Sequence, residues 1–529
     1  MSESTTTSSR ESDGIVQGLR TALENKAGLH KSWTTGVATL PESETTLYYE
    51  HQDGTIKSLK LGSVTSAQAE DLGQACSPAT FGLNQRDVLD ESYRKAGKLD
   101  VGKFSWLFNP SGRGDFTTQL ASGLFPWASL EKGIRFELYK LNVYGAIKHY
   151  PWRGISAYRR TNDIGEGSFF KAHQDTPRSG DMFGSLVCLL PIAHEGGDLL
   201  LRHCGHDFTF DGQALLHNAP STSIAWIAFF SDVEHEVTPV TAGHRVTITF
   251  NLYYDPQIAT PIYHAPSSAA MLEHPFKSAL QRVIENPAAI KAHPILGFGL
   301  QHAYPVSSVL RHHSLLDLKG ADMILIQILR SFGIKYNFFL LYRDEKHKDE
   351  SPFRILSQSC YDGDTLDADQ APVEYLLKNG GFIVWDRDPK GVEENPYLQD
   401  WYYHYKYGLE CGDQYEDLPV EWVVEPSEEN LKRSVAAAYG NEPGLGYFYH
   451  QICVVALLDP DFDSRGLINQ DVDAMERLQK TDLLQCIENL NESLEKIYDI
   501  RLRAKVLEAV KVCNEVKWYS ENTSIPLFD

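Results

Sequence analysis

The spacing of hydrophobic and polar positions changes several times along this chain. Between residues 134 and 255, apolar, β-branched and aromatic runs of strand length recur at short intervals, and glycine-containing turns such as Glu195-Gly196-Gly197 and Thr241-Ala242-Gly243 separate them. Several short strands with few helical periods between them are typical of an all-β barrel or sandwich. The pattern therefore predicts an α+β chain with a mainly β core, centred on residues 134–255.

The segments before this core have weaker and more varied patterns. Residues 1–15 are rich in Ser, Thr and Glu and predict a disordered tail. Residues 16–133 predict a mixed α/β flank. Within that flank, Asp53-Gly54 between two apolar runs predicts a hairpin turn, and the apolar spacing of Gln85–Lys98 predicts a helix.

The chain after residue 255 is mixed again. Residues 256–465 predict a mixed α/β region, compatible with a degenerate second β-domain, and Met323–Ile328 within it predicts a strand. Residues 466–529 have apolar positions at helical spacing and predict a C-terminal helical segment that packs through its apolar stripe.

Composition and charge narrow the classes of partner. The 529 residues have a formal net charge of -22, and an acidic surface repels phosphate backbones, so we expect no nucleic-acid partner. No apolar run reaches membrane-spanning length, and the N-terminus lacks the apolar region of a signal peptide. None of the 8 cysteines forms a Cys-x-x-Cys pair. These features predict a cytoplasmic or nuclear protein with reduced thiols and no membrane partner.

His-x-Asp triplets occur three times, beginning at His51, His173 and His347. Two imidazoles and one carboxylate on one face suit Fe(II) and leave the opposite face open for ligands. The first triplet lies on the predicted hairpin turn and the third in a charged run, where solvated loops are expected. Only the second follows a strand pattern and is succeeded by a distant histidine in a similar setting. We therefore predict that His173, Asp175 and His235 are the metal ligands and the catalytic residues.

Arg245 begins the next strand-like run after His235. Alternation at a period of two residues places Arg245, Thr247 and Thr249 on one face. Polar groups that face a barrel interior need partners, and a carboxylate bound in bidentate fashion by Arg245, helped by the Thr247 hydroxyl, would supply one. A solvent-facing polar stripe on a one-sided sheet is the alternative.

The chain resembles the prolyl 4-hydroxylase-like 2-oxoglutarate/Fe(II) dioxygenases, most closely their fungal members, in Tyr139–Tyr144, Phe169–Pro177, Ser231–Val237 and Gly243–Thr247. The resemblance is strong over residues 134–255. It implies a double-stranded β-helix (jelly-roll) core, Fe(2+) as the metal, 2-oxoglutarate as co-substrate and O2 as oxidant, with ascorbate as an optional reductant. It also implies that Arg245 and Thr247 bind 2-oxoglutarate. Tyr144 becomes a candidate residue beside it, with an ordinary strand aromatic as the alternative.

One departure from the family pattern lies just before the second triplet. The family has a Tyr-Gly pair shortly before the first metal histidine, whereas Tyr144-Gly145 lies well upstream of His173. Removing about residues 146–165, a basic stretch without strand texture, restores the pattern. Two hypotheses remain open: a genuine surface loop near the active-site mouth, or a retained intron in the gene model.

These features predict a dioxygenase that hydroxylates a protein, with proline as one target, or a small molecule, and releases succinate and CO2. A catalytically inactive binding protein on the same fold is the alternative. A zinc hydrolase would leave the Arg245 strand unexplained. The residues His203, Cys204 and His206 also suggest zinc, but they lack a second ligand pair, so a loop is favoured there.

Overall fold

Antiparallel β-strands make up most of the structure, and short helices flank them. This computed structural model describes residues 14, 16–23, 32–83, 86–125, 133–145, 167–175, 177–179, 181–255, 275–304, 318–342, 353–358, 375–377, 380–385, 419–427, 432–433, 448–449 and 451–462. They belong to a unit of residues 1–464. The predicted mainly β class is confirmed. The predicted tail (apart from residue 14), the insertion at 146–165 and the helical segment at 466–529 lie outside the described residues.

The strands divide into a group before residue 256 and a group after it. Those of the first group are β1 (Trp33–Thr39), β2 (Thr46–Glu50), β3 (Ile56–Lys60), β4 (Ser77–Pro78), β5 (Phe81–Leu83), β6 (Arg86–Val88), β7 (Arg94–Lys95), β8 (Gly97–Asp100), β9 (Phe104–Trp106), β10 (Gly133–Gly145), β11 (Phe169–His173), β12 (Met182–Leu189), β13 (His194–Gly196), β14 (Leu199–His203), β15 (His206–Phe210), β16 (Ser223–Phe230), β17 (Glu234–Val237) and β18 (Val240–Asp255). Those of the second group are β19 (Ile295–Gly299), β20 (Lys335–Tyr342), β21 (Phe353–Ser357), β22 (Phe382–Trp385), β23 (Val420–Val424), β24 (Lys432–Arg433), β25 (Phe448–Tyr449) and β26 (Ile452–Leu457).

The helices are short and scattered between the strands. They are α1 (residues 16–23), α2 (Ser66–Ala75), α3 (Gly114–Leu124), α4 (Gly212–Leu216), α5 (Pro275–Ile284), α6 (Pro287–Ala292) and α7 (Gly320–Ser331), with 3-10 turns at Glu42–Glu44 and Pro110–Gly112. None of the helices in the described part of the chain combines the length and the apolar character needed to cross a membrane.

Two antiparallel sheets carry all the predicted site residues that lie in strands. The larger has the order β1-β16-β12-β18-β10-β8-β4, with β13 also paired to β18, and the smaller has the order β15-β14-β17-β11-β7. Strand β16 is buried along its whole length between β1 and β12, because its unbroken apolar run leaves no face suited to water. A separate sheet, β22-β21-β20-β26-β19-β23, forms the region after residue 294.

The predicted hairpin before the core is confirmed. Strands β2 and β3 pair from Thr46 with Lys60 to Glu50 with Ile56. Gly54 occupies the turn at a φ of 84°, a left-handed conformation that glycine adopts without steric cost.

The predicted helix over Gln85–Lys98 is wrong, because the described residues of this stretch form short strands. The carboxylate of Asp90 accepts the backbone N–H of Ser92 at 2.8 Å, which makes a local turn that competes with helical hydrogen bonding. Beyond the turn, β7 pairs with β11, and β8 pairs with both β10 and β4. Sheet pairing to distant strands therefore overrides a weak helical period.

The predicted strand at Met323–Ile328 is also wrong, since these residues lie inside helix α7. Most of the helix is buried, from Gly320 to Leu329. A helix enclosed on nearly all sides has no polar face, so its apolar run carries no period that distinguishes it from a buried strand.

The residues that flank the 146–165 insertion lie close together. The backbone N–H of Ser168 donates to the carbonyl of Gly145 at 3.0 Å. If residues 146–165 were absent, Gly145 and Ser168 would be the first and fourth residues of one β-turn, and this hydrogen bond would be the one that closes such a turn.

We predict that a variant lacking residues 146–165 folds and has a thermal midpoint no lower than that of the full chain. The turn can close through the existing hydrogen bond, and a shorter connection costs less closure entropy. Circular dichroism during heating measures this midpoint. Aggregation, or a clearly lower midpoint for the deletion variant, would show that the stretch is needed for the fold.

Candidate metal centre

Two neighbouring strands of the smaller sheet bring the candidate histidines together. Strands β11 and β17 are antiparallel, and His173 and His235 are direct partners in their register. Their ring centroids lie 4.2 Å apart. Asp175 follows β11, and its Oδ1 lies 3.9 Å from His235 Nε2. One potential ligand atom from each of the three residues lies within 4.8 Å of the other two.

Both imidazoles are held in the tautomer that leaves Nε2 available. His173 Nδ1 lies 2.8 Å from the carbonyl oxygen of Lys171, and His235 Nδ1 lies 3.0 Å from that of Val233. A carbonyl only accepts hydrogen bonds, so each Nδ1 carries the proton and donates it. Second hydrogen bonds of this kind fix the orientation of metal-binding histidines.

The carboxylate and the residue before it are also held by hydrogen bonds. Ser185 Oγ, on β12 of the larger sheet, donates to Asp175 Oδ2 at 2.6 Å. Gln174 Nε2 donates to the backbone carbonyl of Asp232 at 2.8 Å. The site therefore lies where the two sheets meet, and each sheet contributes to its geometry.

Aromatic packing restrains the two histidine rings. Phe170 stacks on His173 with centroids 3.6 Å apart, and Arg94 lies 4.3 Å from the centre of the same Phe170 ring. Phe229 lies against His235 at 4.7 Å. The rings can rotate little without breaking these contacts, which favours one arrangement of ligand atoms.

The electrostatic state of the three side chains suits a divalent metal. Burial and the neighbouring His235 lower the pKa of His173 to about 3, so its imidazole is neutral at pH 7. Burial acts to raise the pKa of Asp175, but His235 and His173 outweigh it and lower the pKa. Two imidazoles and one carboxylate fit the donor set of a non-haem Fe(II) centre with open positions.

Arg245 is buried in β18 with 2% of its surface exposed, and Thr247 is equally buried. The alternative of a solvent-facing stripe is therefore wrong. Burial lowers the pKa of Arg245. No hydrogen bond or ion pair within the described part of the chain engages its guanidinium. The charge of Asp198 acts to raise the pKa of Arg245, but no hydrogen bond within the described ranges joins the two side chains. A buried guanidinium without a hydrogen-bonded anion is suited to binding a carboxylate.

Tyr144 lies beside Arg245 on the neighbouring strand. The two are register partners of β10 and β18, and the guanidinium carbon is 5.4 Å from the centre of the tyrosine ring. Thr247 pairs with Asn142 two residues further along the same strands. The six residues predicted from sequence thus form two groups, the metal triad and the Arg245 group, and their roles remain predictions.

Gly197 packs against the Arg245 side chain, whereas the sequence indicated only that it belongs to a turn. It has a φ of 73°, and a Cβ atom placed on it would lie 2.7 Å from Cγ2 of Val240 and 2.8 Å from Cδ of Arg245. The adjacent glycines Gly196 and Gly197 are the sequence feature that could have pointed to this position. The sequence does not show that Gly197 lies close to Arg245, because that contact depends on the pairing of distant strands. Ser185 and Gln174 were missed for the same reason, since their partners are remote in sequence.

The first His-x-Asp triplet lies on the hairpin turn, as predicted, although the side chain of His51 is only 20% exposed. His51 lies near Asp53 and Asp71, with nitrogen–oxygen distances of 3.5 and 3.9 Å, at the hairpin turn. It belongs to no three-residue metal-type cluster within the described ranges. His347 lies outside the described residues. A second such cluster does occur, formed by His203, Asp232 and His302.

Part of the chain matches a known protein family. Residues 155–253 match the family model of the 2OG-Fe(II) oxygenase superfamily. The comparison with curated proteins found no match to this chain.

Among solved structures, a Pseudomonas putida prolyl-4-hydroxylase is 17% identical, covering 44% of this chain and 98% of its own, with a TM-score of 0.24. A 2OG-Fe(II) oxygenase family oxidoreductase from Burkholderia pseudomallei is 18% identical, covering 22% and 45%, with a TM-score of 0.16. A Trichoplax adhaerens prolyl hydroxylase, solved with a hypoxia inducible factor peptide, is 16% identical, covering 48% and 93%, with a TM-score of 0.22.

We predict that Gly197→Ala raises the apparent KM for 2-oxoglutarate about tenfold or more, because the new methyl group displaces the Arg245 side chain. Gly205→Ala is the matched control, since Gly205 has a φ of 74° and open space around it. Both variants incur similar backbone strain, but only the first places a methyl group against Arg245 and Val240. Succinate formation at varied 2-oxoglutarate measures the effect. Equal KM values in the two variants would contradict the Arg245 assignment.

Proposed function

We propose that this chain, which carries a 2OG-Fe(II) oxygenase domain at residues 155–253, is a 2-oxoglutarate-dependent dioxygenase whose iron ligands are His173, Asp175 and His235. The observation that carries the proposal is the convergence of three ligand atoms within 4.8 Å inside the matched domain. The substrate is a protein, with prolyl side chains the first to test, or a small molecule.

When bound, Fe(II) and 2-oxoglutarate supply the activation of O2 that places one oxygen atom on the substrate and the other in succinate, with release of CO2. The protein positions the reactants and excludes water. His173 and His235 present their Nε2 atoms because both Nδ1 atoms donate to backbone carbonyls. Asp175 is kept ionised and oriented by the hydroxyl of Ser185.

The role of Arg245 follows from its burial and charge. A dianionic co-substrate with a carboxylate at each end needs one anchor at the metal and another for its distal carboxylate. Arg245 is a buried guanidinium without an anionic hydrogen-bond partner in the described ranges, and Tyr144 and Thr247 lie beside it. We assign all three to the 2-oxoglutarate pocket, with Arg245 as the anchor.

The arrangement of strands supports a double-stranded β-helix for the domain. Such a core consists of two opposed antiparallel sheets. Here His173 and His235 belong to the smaller sheet and Arg245 to the larger one. The Ser185–Asp175 hydrogen bond joins the two sheets at the proposed metal.

An inactive binding protein on the same fold would need neither a complete triad nor histidines held with free Nε2 atoms. The retention of both features supports catalysis over binding alone. Turnover of 2-oxoglutarate to succinate, with added Fe(II) in air, separates the two functions. Failure of the purified chain to bind Fe(II) or to form succinate with any substrate offered would favour the binding protein.

We predict that His173→Ala lowers Fe(II)-dependent succinate formation by more than about 100-fold, beyond the usual loss from removing a hydrogen-bond partner of a ligand. His51→Ala is the matched control, because it removes the histidine of the other His-Gln-Asp triplet, which lies away from the proposed metal. The control should retain full activity, and circular dichroism should confirm that both variants are folded. Undiminished activity of His173→Ala would rule out the metal assignment.

The substrate class is open to a direct test. The His173→Ala variant should retain substrate binding while it lacks turnover, so it can be used to capture partners from a lysate. Mass spectrometry of the captured candidates, after incubation with the active enzyme, should detect a product carrying one added oxygen. The position of that oxygen would distinguish a prolyl from a small-molecule substrate.

A further inference from the structure

A buried network of charged groups connects the region after residue 294 to the candidate metal centre. Its centre is Asp232, which lies in the turn between β16 and β17, with its side chain 9% exposed. Lys319 Nζ donates to Asp232 Oδ1 at 3.0 Å, and His302 Nδ1 and the backbone N–H of Ala303 each lie 2.9 Å from Oδ2. We call Asp232, His302, Ala303 and Lys319 the Asp232 network.

The partners of Asp232 are themselves held in place. Asp322, on the first turn of α7, accepts the backbone N–H groups of Gln301 and His302 at 2.9 and 3.0 Å. It also accepts the hydroxyl of Tyr304, at 2.9 Å. Lys319 donates a further bond to the carbonyl of Ala303 at 3.0 Å. The network is therefore built into the fold of this region and is not a chance surface contact.

The turn that carries Asp232 also makes hydrogen bonds to the segments that carry the candidate metal ligands. The backbone carbonyl of Asp232 accepts Nε2 of Gln174, which lies between the ligands His173 and Asp175. The next carbonyl, that of Val233, accepts Nδ1 of His235. One short turn thus contacts both segments that supply the triad, and the Asp232 side chain ties that turn to the chain beyond residue 300.

We propose that the region around Gln301–Tyr304 and Lys319–Asp322 helps to position the metal ligands. It acts through Asp232 and Gln174, which are positioning residues. This inference rests on the proposed function. It assigns to part of the C-terminal region the task of holding two ligand-bearing segments at the spacing that a metal requires.

A second metal site is the alternative interpretation of this network. His203, Asp232 and His302 also bring potential ligand atoms within 4.8 Å of one another. The bonding of Asp232 disfavours it. A carboxylate offers about four acceptor positions, and three are used by hydrogen bonds while His203 Nε2 lies at 3.5 Å. The ammonium group of Lys319 would also repel a cation.

The test measures metal affinity by titrating the purified full-length chain with Fe(II) under anaerobic conditions. Gln174→Ala removes the link between the turn and the ligand segment and leaves the charged network intact. Gln52→Ala is the matched control, because Gln52 Nε2 makes the same kind of bond to the carbonyl of Gln74, also at 2.8 Å. We expect Gln174→Ala to raise the Fe(II) dissociation constant about tenfold or more, with the control within about twofold of the parent.

A second pair of variants tests the charged network itself. Asp232→Asn weakens the bonds to Lys319 and His302, and Asp71→Asn is its control, since Asp71 also accepts from a lysine and from a second side chain, Lys57 and Tyr49. We expect Asp232→Asn to weaken Fe(II) binding and to alter the visible spectrum of the Co(II)-loaded protein. Asp71→Asn should change neither. If Asp232→Asn does not fold, the Gln174→Ala pair decides the question alone.

Several outcomes would overturn the inference. Fe(II) affinities of both Gln174→Ala and Asp232→Asn within about twofold of the parent would show that the turn does not position the ligands. A second equivalent of bound metal that is lost in His302→Ala would make the network a metal site. In both cases a parent protein that still forms succinate leaves the proposed function standing. A parent that binds no Fe(II) would overturn the function and the inference together.

Discussion

The antiparallel pairing of β11 with β17 is the constraint on which the candidate site depends. It places His173 directly opposite His235, although the two are far apart in sequence. Backbone carbonyls within the same two segments then fix both tautomers. Asp175 joins them because it follows β11 and is held by Ser185 of the opposite sheet. A slip of one residue in this register would turn one histidine to the other face of the sheet.

Buried polar groups connect this pair to the rest of the protein, because each one needs a partner. Asp232 finds its partners in residues beyond position 300, and so joins the turn before His235 to α7 and its neighbours. Arg245 is buried without a hydrogen-bonded anion in the described ranges. The fold supplies all the partners of Asp232 described above, whereas we propose that 2-oxoglutarate supplies the partner of Arg245.

Much of this arrangement could be predicted from sequence, for identifiable reasons. The triad follows a local rule, since His173 and Asp175 are neighbours and His235 follows a strong strand pattern. Gln174 and Asp232 gave no signal, because their contacts come from segments that no short pattern connects. The helix α7 was predicted as a strand because a run buried on all sides has no period. The strands within residues 86–100 were predicted as a helix because their pairing partners are distant.

The most direct test of the account is a crystal structure of the chain with Mn(II) and 2-oxoglutarate, in which anomalous scattering locates the metal. The account predicts an anomalous peak in contact with His173, Asp175 and His235, and a 2-oxoglutarate carboxylate bound to the Arg245 guanidinium. A peak among His203, Asp232 and His302 without one at the triad would contradict it. So would 2-oxoglutarate bound away from Arg245.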